Sequence, residues 1–141
     1  MISSLLGQNV DIKAAETVDV DIPFEELMTE DALIGYANAN TWGTYFGSGV
    51  SIINDSGSGK IGWGGSTNAK SKCSVKVLCI VERYTGGSWV RVTSASDSRD
   101  NDYIAILSKL TLVGTGYYYR VRSTHYASTD VAHSQTDALR M

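Results

Sequence analysis

Two histidines are the residues of this 141-residue chain best suited to acid–base chemistry, and the sequence sets no partner beside them. His125 and His133 fall in neighbouring strand-like segments near the C-terminus. Catalysis by a nucleophile, a base and an acid, or by two carboxylates, needs those groups within hydrogen-bond reach of each other. The fold could still assemble such a site, but no motif predicts one. We therefore expect two polar strand histidines, no enzymatic activity and no cofactor.

The segment SGSGK, residues 56–60, matches a phosphate-binding loop only in part. Asn54 stands where that loop has its first glycine, and Ile61 stands where it has a serine or threonine. We expect an ordinary loop between two strands.

The segment DSRDND offers Asp97, Asp100 and Asp102 as oxygen ligands for calcium. It lacks the glycine and the distal glutamate of an EF-hand loop. The sequence therefore predicts a solvated turn and no assigned metal site, with calcium binding as the alternative.

Aromatic side chains are the most informative candidates for ligand binding. Sugar-binding β-domains stack carbohydrate on exposed aromatic rings, but half-buried strands are rich in aromatic residues for packing alone. Trp89 and Tyr118 are the two residues that we assign to a possible sugar-stacking site. The other available rings are Trp42, Tyr45, Phe46, Trp63, Tyr103 and Tyr126.

The chain has two cysteines, Cys73 and Cys79, in one strand-like segment. Six steps along a strand separate them by about 20 Å, whereas the Cα atoms of a disulfide lie within about 7 Å. We expect no bond between them and two small core residues on one face. A disulfide to another chain or a reactive thiol is the alternative.

Short apolar runs broken by turn residues fill the chain from residue 48 onwards. Apolar and polar side chains alternate in residues 72–84, and TGGS at residues 85–88 joins this run to WVRVTS, which predicts a hairpin. Seven strand candidates fit in about 95 residues with one proline in the whole chain. The pattern predicts an all-β, seven-strand antiparallel β-sandwich over residues 48–141.

The preceding residues, 1–47, form an acidic N-terminal arm. Residues 1–45 carry eight acids against one lysine, a net charge of −7, and the rest of the chain has a net charge of +4. We expect an extended arm with a short helix over residues 23–38 that contacts the basic body or a neighbouring copy. The overall charge of −3 argues against nucleic acid, and no apolar run is long enough to span a membrane.

The segment GTGYYYRVR divides between two faces of a predicted strand. Tyr117 and Tyr119 are expected to face inward, and Tyr118, Arg120 and Arg122 outward. If this strand neighbours residues 72–84, the outward face also carries Leu78 and Ile80, which gives an apolar patch with a basic rim. Soluble proteins seldom leave such a patch open. The arm offers a cover, in which Phe24 buries the apolar centre and Glu25 and Glu26 face the arginines.

The segments VERYTGGSWVRV and KLTLVGTGYYYRVRS resemble the middle and end of a fibronectin type III or immunoglobulin-like domain. The resemblance implies a tyrosine corner, and Tyr117 after Gly114 fits that position. About 100 residues, from TWGTYFGSGVSI to the C-terminus, also resemble small secreted all-β domains of unknown function from Gram-positive Firmicutes. That family implies export and brings no functional residues.

These observations favour a non-enzymatic extracellular structural or adhesive module. We expect it to form a homo-oligomer or polymer through its arm, as a fibre or surface-appendage subunit would, by adding a strand to a neighbour. The alternative is a glycan-binding accessory module that uses Trp89 and Tyr118. Neither hypothesis involves nucleic acid or insertion into a membrane.

Overall fold

The protein is built around one hairpin of two long strands. The structure is a computed structural model that describes residues 19–38 and 43–141. Its strands and one 3-10 turn are β1 Val20–Asp21, η1 Phe24–Leu27, β2 Leu33–Tyr36, β3 Phe46–Gly57, β4 Lys60–Thr85, β5 Ser88–Leu112, β6 Tyr118–Ala127, β7 Asp130–Gln135 and β8 Leu139–Arg140. The β4–β5 hairpin turns at Gly86 and Gly87, whose φ angles of 61° and 84° suit glycine. The hairpin predicted there is confirmed.

The hairpin has two parts with different neighbours. In the hairpin base, residues 60–68 of β4 pair with residues 104–112 of β5. In the hairpin tip, residues 75–85 of β4 pair with residues 88–99 of β5. On its other edge, β4 pairs with β3 in the hairpin base and with β6 in the hairpin tip.

An irregular segment joins the base to the tip without ending either strand. The register of β4 shifts at Asn68 and again at Cys73, and Asn101 of β5 has a φ angle of 52°. A bulge of this kind leaves a residue unpaired and bends the strand. Runs predicted as separate strands are therefore continuous here. The solvated turn predicted at residues 97–102 is wrong, because these residues lie within β5.

The strands form one antiparallel sheet with β4 at its centre. One edge of β4 pairs with β5, and the other pairs with β3 in the hairpin base and with β6 in the hairpin tip. β1 pairs with β5, β2 with β3, and both β7 and β8 with β6. The predicted all-β antiparallel class is confirmed. The described part of the chain has eight strands in this sheet. Two of them, β1 and β2, belong to the arm, so six strands lie where seven were predicted.

The core follows the alternation of apolar residues predicted for β4. Its buried side chains are Ile53, Ile61, Trp63, Val75, Val77, Cys79, Val81, Ala105, Leu107, Tyr119 and Val121. Leu78 and Ile80, on the opposite face of β4, are half-buried. The indole Nε1 of Trp63 donates to Oγ1 of Thr111 at 2.7 Å, which satisfies the polar atom of the largest core side chain. Cys73 and Cys79 do not bond to each other, as predicted. Cys79 is buried in this core, but Cys73 is only half-buried and packs against a smaller cluster of Phe46, Ala127 and Ala132.

The arm contains a 3-10 turn and one strand where a helix was predicted. Only η1, four residues long, is helical within residues 23–38, and β2 follows it. Pro23 precedes η1 without a side-chain cap, and Leu27 is the one buried residue of the turn. Because Leu33 and Ile34 pair with β3, tertiary pairing outweighs the local preference for a helix. Residues 1–18 and 39–42, which include Trp42, lie outside the described residues.

The acids at the start of the described arm bind the protein's own sheet. The carboxylate of Asp19 accepts from Thr93 at 2.8 Å and from Thr111 at 2.6 Å. Asp21 forms an ion pair with Lys109 at 2.5 Å. The hydroxyl of Ser108 also donates to the carbonyl of Ile22. These contacts and β1 attach the arm to β5 within one molecule.

Candidate functional site

One face of the hairpin tip and β6 carries most of the candidate residues. Because β4 and β6 are neighbours, Leu78 lies opposite Thr124, Ile80 opposite Arg122, and Glu82 opposite Arg120. Side chains directly opposite each other on one face of a sheet are in contact range. We call this surface the outward face. Its two ends differ in chemistry: one is aromatic, and the other is polar.

Glu82 lies at the centre of the outward face, and the sequence did not identify it. Its side chain is 9% exposed. Nε of Arg120 donates to Oε1 at 2.8 Å, and Arg122 donates through Nε and Nη2 at 2.9 Å each. Burial alone raises the pKa of the Glu82 carboxyl, but the hydrogen bonds and charges of Arg122 and Arg120 outweigh it and hold the pKa below its ordinary value. The carboxylate therefore fixes both guanidiniums.

The expected arm residues lie elsewhere in the molecule. Glu26 and Leu27 of η1 accept through their carbonyls from Nδ2 of Asn54, at 3.2 Å each, beside the hairpin base. Phe24 and Glu25 belong to the same turn. Glu82, and not Glu25 or Glu26, pairs with Arg120 and Arg122 in the described part of the chain. A cover made of η1 would have to come from another copy.

The tyrosines of the GYYYR segment are arranged differently from the prediction. Tyr119 is buried, and its hydroxyl donates to the carbonyl of Gly114 at 2.5 Å. Tyr117 is 36% exposed, with the guanidinium of Arg83 over its ring at 4.5 Å. The assignment of Tyr117 as the inward corner tyrosine is wrong. Tyr119 makes the hydrogen bond back to the chain instead, because it is the first residue of β6 whose side chain is buried.

Trp89 and Tyr118 meet at the aromatic end of the outward face. They line an open depression of about 280 Å³ with Tyr84 and Ala138. We call these four residues the aromatic patch. The rings of Tyr84 and Trp89 meet edge to face with centroids 5.3 Å apart. Sequence reasoning missed Tyr84, although the hairpin at residues 85–88 already sets it opposite Trp89.

Two guanidiniums lie over rings of the aromatic patch. Arg120 is 4.1 Å from the ring centroid of Trp89, and Arg140 is 5.1 Å from that of Tyr118. Arg140 arrives through β8, where it pairs with Tyr118. A cation over a ring is attracted to its π electrons. The arrangement offers flat apolar surfaces beside donors of fixed direction.

The other end of the outward face is a polar groove of about 410 Å³. Its lining comes from the end of β2 and from β4, β6 and β7: Tyr36, Asn38, Ile80, Arg122, Ser123, Thr124, His133, Ser134 and Gln135. His133 is exposed, and its Nδ1 is 3.4 Å from the hydroxyl of Thr124. The sequence grouped Ile80 with Arg122 but gave no sign that β2 ends beside them.

The second histidine lies inside the protein, in a network of hydroxyls. Nδ1 of His125 is 2.8 Å from Thr67 Oγ1, and Nε2 is 2.7 Å from Ser134 Oγ. Ser134 continues to Ser51 at 2.6 Å, and the chain of contacts ends at Ser123 and Cys79. Burial, followed by the charge of His133, lowers the pKa of His125 to about 4. Burial raises the pKa of the Cys79 thiol to about 12.

This network joins β3 to β6 and β7. Ser134 is within hydrogen-bond distance of a histidine, as a nucleophile would be, but both side chains are buried. The group at Nδ1 of His125 is the hydroxyl of Thr67, where a catalytic triad has a carboxylate. The arrangement is a buried polar cluster between strands, in which these side chains hydrogen-bond to one another.

The remaining motifs are structural elements. Ser58 and Gly59 form the turn between β3 and β4, as the loop interpretation of SGSGK predicts. Asp97 accepts from Arg99 at 3.1 Å and from the backbone of Ile106 at 3.0 Å. Asp102 accepts from the backbone of Tyr103 at 2.6 Å. Among residues 19–38 and 43–141, no three acids, histidines or cysteines are grouped to hold a metal ion.

Comparisons with known proteins add no relative. No protein family, curated protein or solved structure matches this chain. Within the part of the chain that the structure describes, no helix is long and apolar enough to span a membrane.

Proposed function

We propose that this protein is a non-enzymatic adhesive module that binds glycans through the aromatic patch. The observation that carries the proposal is the convergence of Tyr84, Trp89 and Tyr118 in one open depression beside two arginines. Tyr84 and Tyr118 are 44% and 45% exposed, so their rings are accessible to a ligand. Aromatic side chains supply large, rigid contact surfaces at low entropic cost.

The arginines make the patch suitable for a hydroxylated ligand. Sugar rings have apolar C–H faces that pack on aromatic rings, and hydroxyls at their edges that accept hydrogen bonds. Arg120 provides N–H donors next to Trp89, and Glu82 holds its guanidinium in place. A donor whose orientation is already fixed loses little freedom when a ligand binds.

A glycan array tests the proposal. Tyr118→Ala and Tyr84→Ala should each weaken binding at least about fivefold, because each removes a contact surface from the centre of the site. Tyr103→Ala is the matched control, since Tyr103 is 50% exposed and lies outside the patch. The proposal is wrong if the wild-type protein binds no glycan, or if both patch variants bind as the control does.

Self-association through the arm is the second candidate, and the edge of β5 supports it. Val20 and Asp21 already add a short strand to the edge of β5 opposite Leu110 and Lys109. In the described part of the chain, residues 88–99 of β5 pair only with β4. An open strand edge can accept a strand from a second copy. A homo-oligomer or fibre would follow.

Deletion of residues 1–22 distinguishes this candidate. If the arm links copies, the deletion should abolish assembly in light scattering and negative-stain microscopy while circular dichroism still reports a folded sheet. Assembly that persists after the deletion would contradict it.

We also propose an immunoglobulin-like sandwich layout and an extracellular location. The layout is supported by the Tyr119 hydroxyl bonded to Gly114 and by Ser51 of β3 bonded to Ser123 and Ser134, which packs β3 against β6 and β7. The location, and membership of the secreted Firmicutes domains, rest on the resemblance of the sequence motifs.

A further inference from the structure

The polar groove and the aromatic patch belong to one continuous surface. Tyr118 and Arg122 are both on the outward side of β6, four residues apart, which is about 14 Å along a strand. Arg120 and Glu82 lie between them. A ligand that stacks on Tyr118 and extends along β6 therefore meets the side chain of Arg122 next.

The charge of this surface is positive. Glu82 is shared by Arg120 and Arg122, so that one negative charge faces two positive ones. Arg140 lies over Tyr118, and Arg91 is the partner of Glu82 on β5. Arginine prefers carboxylates, which its planar fork can bind through two hydrogen bonds.

The groove adds further hydrogen-bonding groups around Arg122. Arg122 is 47% exposed although it bonds Glu82, and Tyr36, His133 and Gln135 surround it with an aromatic ring, an imidazole and an amide. A guanidinium surrounded by a tyrosine, an imidazole and an amide suits a single carboxylate that carries neighbouring hydroxyls. A surface for a long polyanion would instead need a stripe of basic side chains.

From this geometry we infer that the ligand is an acidic glycan, whose carboxylate binds at Arg122 in the polar groove while a neighbouring sugar ring stacks on the aromatic patch. The inference rests on the proposed function and adds the chemical class of the sugar. Uronic acids are the simplest sugars of that class.

Calorimetry on the full chain tests the inference with three probes. They are a uronic-acid oligosaccharide, the same oligosaccharide with its carboxyls reduced to alcohols, and polyglutamate of matched charge. The wild-type protein should bind the uronic-acid probe about tenfold more tightly than the reduced probe, because a charge-assisted hydrogen bond is lost on reduction. Polyglutamate should bind weakly, since it has no ring to stack.

Variants separate the two parts of the surface. Arg122→Gln should remove the preference for the carboxylate, so that the uronic-acid probe and the reduced probe bind with equal affinity. Tyr118→Ala should weaken both sugar probes. Arg99→Gln is the matched control, because Arg99 is exposed and pairs with Asp97 away from the groove. Arg122→Lys keeps a charge near Glu82 and should retain only part of the preference, which covers the case in which Arg122→Gln does not fold.

The outcomes distinguish the inference from the proposed function. Equal affinity for the two sugar probes overturns the inference and leaves the glycan module intact. Binding of neither sugar overturns the inference, and the glycan array then decides whether the protein binds any other glycan. Polyglutamate bound as tightly as the uronic-acid probe also overturns the inference, because the surface would then recognise an acidic protein segment.

Discussion

The guanidinium of Arg120 lies 4.1 Å from the ring centroid of Trp89, and the same guanidinium donates to Glu82 at 2.8 Å. One side chain thus links a nearly buried carboxylate to an aromatic ring at the surface. Arg120 therefore connects the candidate binding site to the nearly buried side chain of Glu82.

Replacing Glu82 should lower the free energy of unfolding. Glu82→Gln keeps the shape of the side chain but removes the charge shared by Arg120 and Arg122. We expect a loss of about 1–2 kcal/mol in the free energy of unfolding, less than for a fully buried pair because the arginines are partly exposed. Urea denaturation measures it. Asp97→Asn, which removes the exposed Asp97–Arg99 pair, should change the same quantity by less than about 1 kcal/mol. Equal effects of the two changes would contradict the assignment.

Stability should fall as the pH drops from neutral towards 4. The buried His125 has a pKa lowered to about 4, against an ordinary value of 6.5. Between these pH values the unfolded chain therefore binds a proton more readily than the folded protein does. The contribution of neutral His125 to the free energy of unfolding is fully present above pH 6.5. It is lost progressively as the pH falls through this window, by at most about 3 kcal/mol.

Urea midpoints at a series of pH values measure this dependence. His125→Gln should flatten the slope between pH 6.5 and 4, whereas His133→Gln, at an exposed position, should retain most of it. A wild-type slope that His125→Gln leaves unchanged would assign the acid sensitivity to other groups.

The hydroxyl of Tyr119 should contribute measurably to stability. Tyr119→Phe removes the bond to the carbonyl of Gly114 while the ring stays in place. We expect a loss of about 1 kcal/mol in the free energy of unfolding. Tyr117→Phe, at the exposed neighbouring ring, should have less than half that effect. If the two variants lose the same stability, the bond to Gly114 is not the cause.

Gly35 should not tolerate a side chain. A Cβ atom there would lie 1.8 Å from the carbonyl oxygen of Gln135, where β2 passes the end of β7. Because the obstructing atom belongs to the backbone, β2 or β7 must move, and we expect Gly35→Ala to cost about 2 kcal/mol or more.

Thermal denaturation compares Gly35→Ala with Gly114→Ala. A Cβ at Gly114 meets its nearest atom at 3.5 Å, an ordinary contact. Gly114→Ala should therefore be tolerated. Similar melting temperatures for Gly35→Ala and the wild-type protein would show that β2 does not pack against β7 as described.

The local sequence pattern was sufficient to predict several features, because these features depend on the conformational preferences of neighbouring residues. Alternation along residues 72–84 predicted which side chains of β4 are buried, and the glycines at 86 and 87 predicted the hairpin. The arm was the main failure: local signals favoured a helix over residues 23–38, and pairing of Leu33 and Ile34 with β3 decided for a strand. The polar composition of residues 97–102 similarly gave no sign of the strand there, in which residues 97–99 and 102 pair with β4.

The sequence by itself determined the strand periodicity, the acidic arm and two members of the aromatic patch, Trp89 and Tyr118. Only the tertiary structure decided that Glu82 lies between two arginines, that Tyr84 belongs to the patch, that Arg140 lies over Tyr118, and that β2 ends beside Arg122. The reason is physical. Alternation reports which face of a strand a residue occupies, whereas pairing across strands joins residues far apart in the chain and decides which side chains meet.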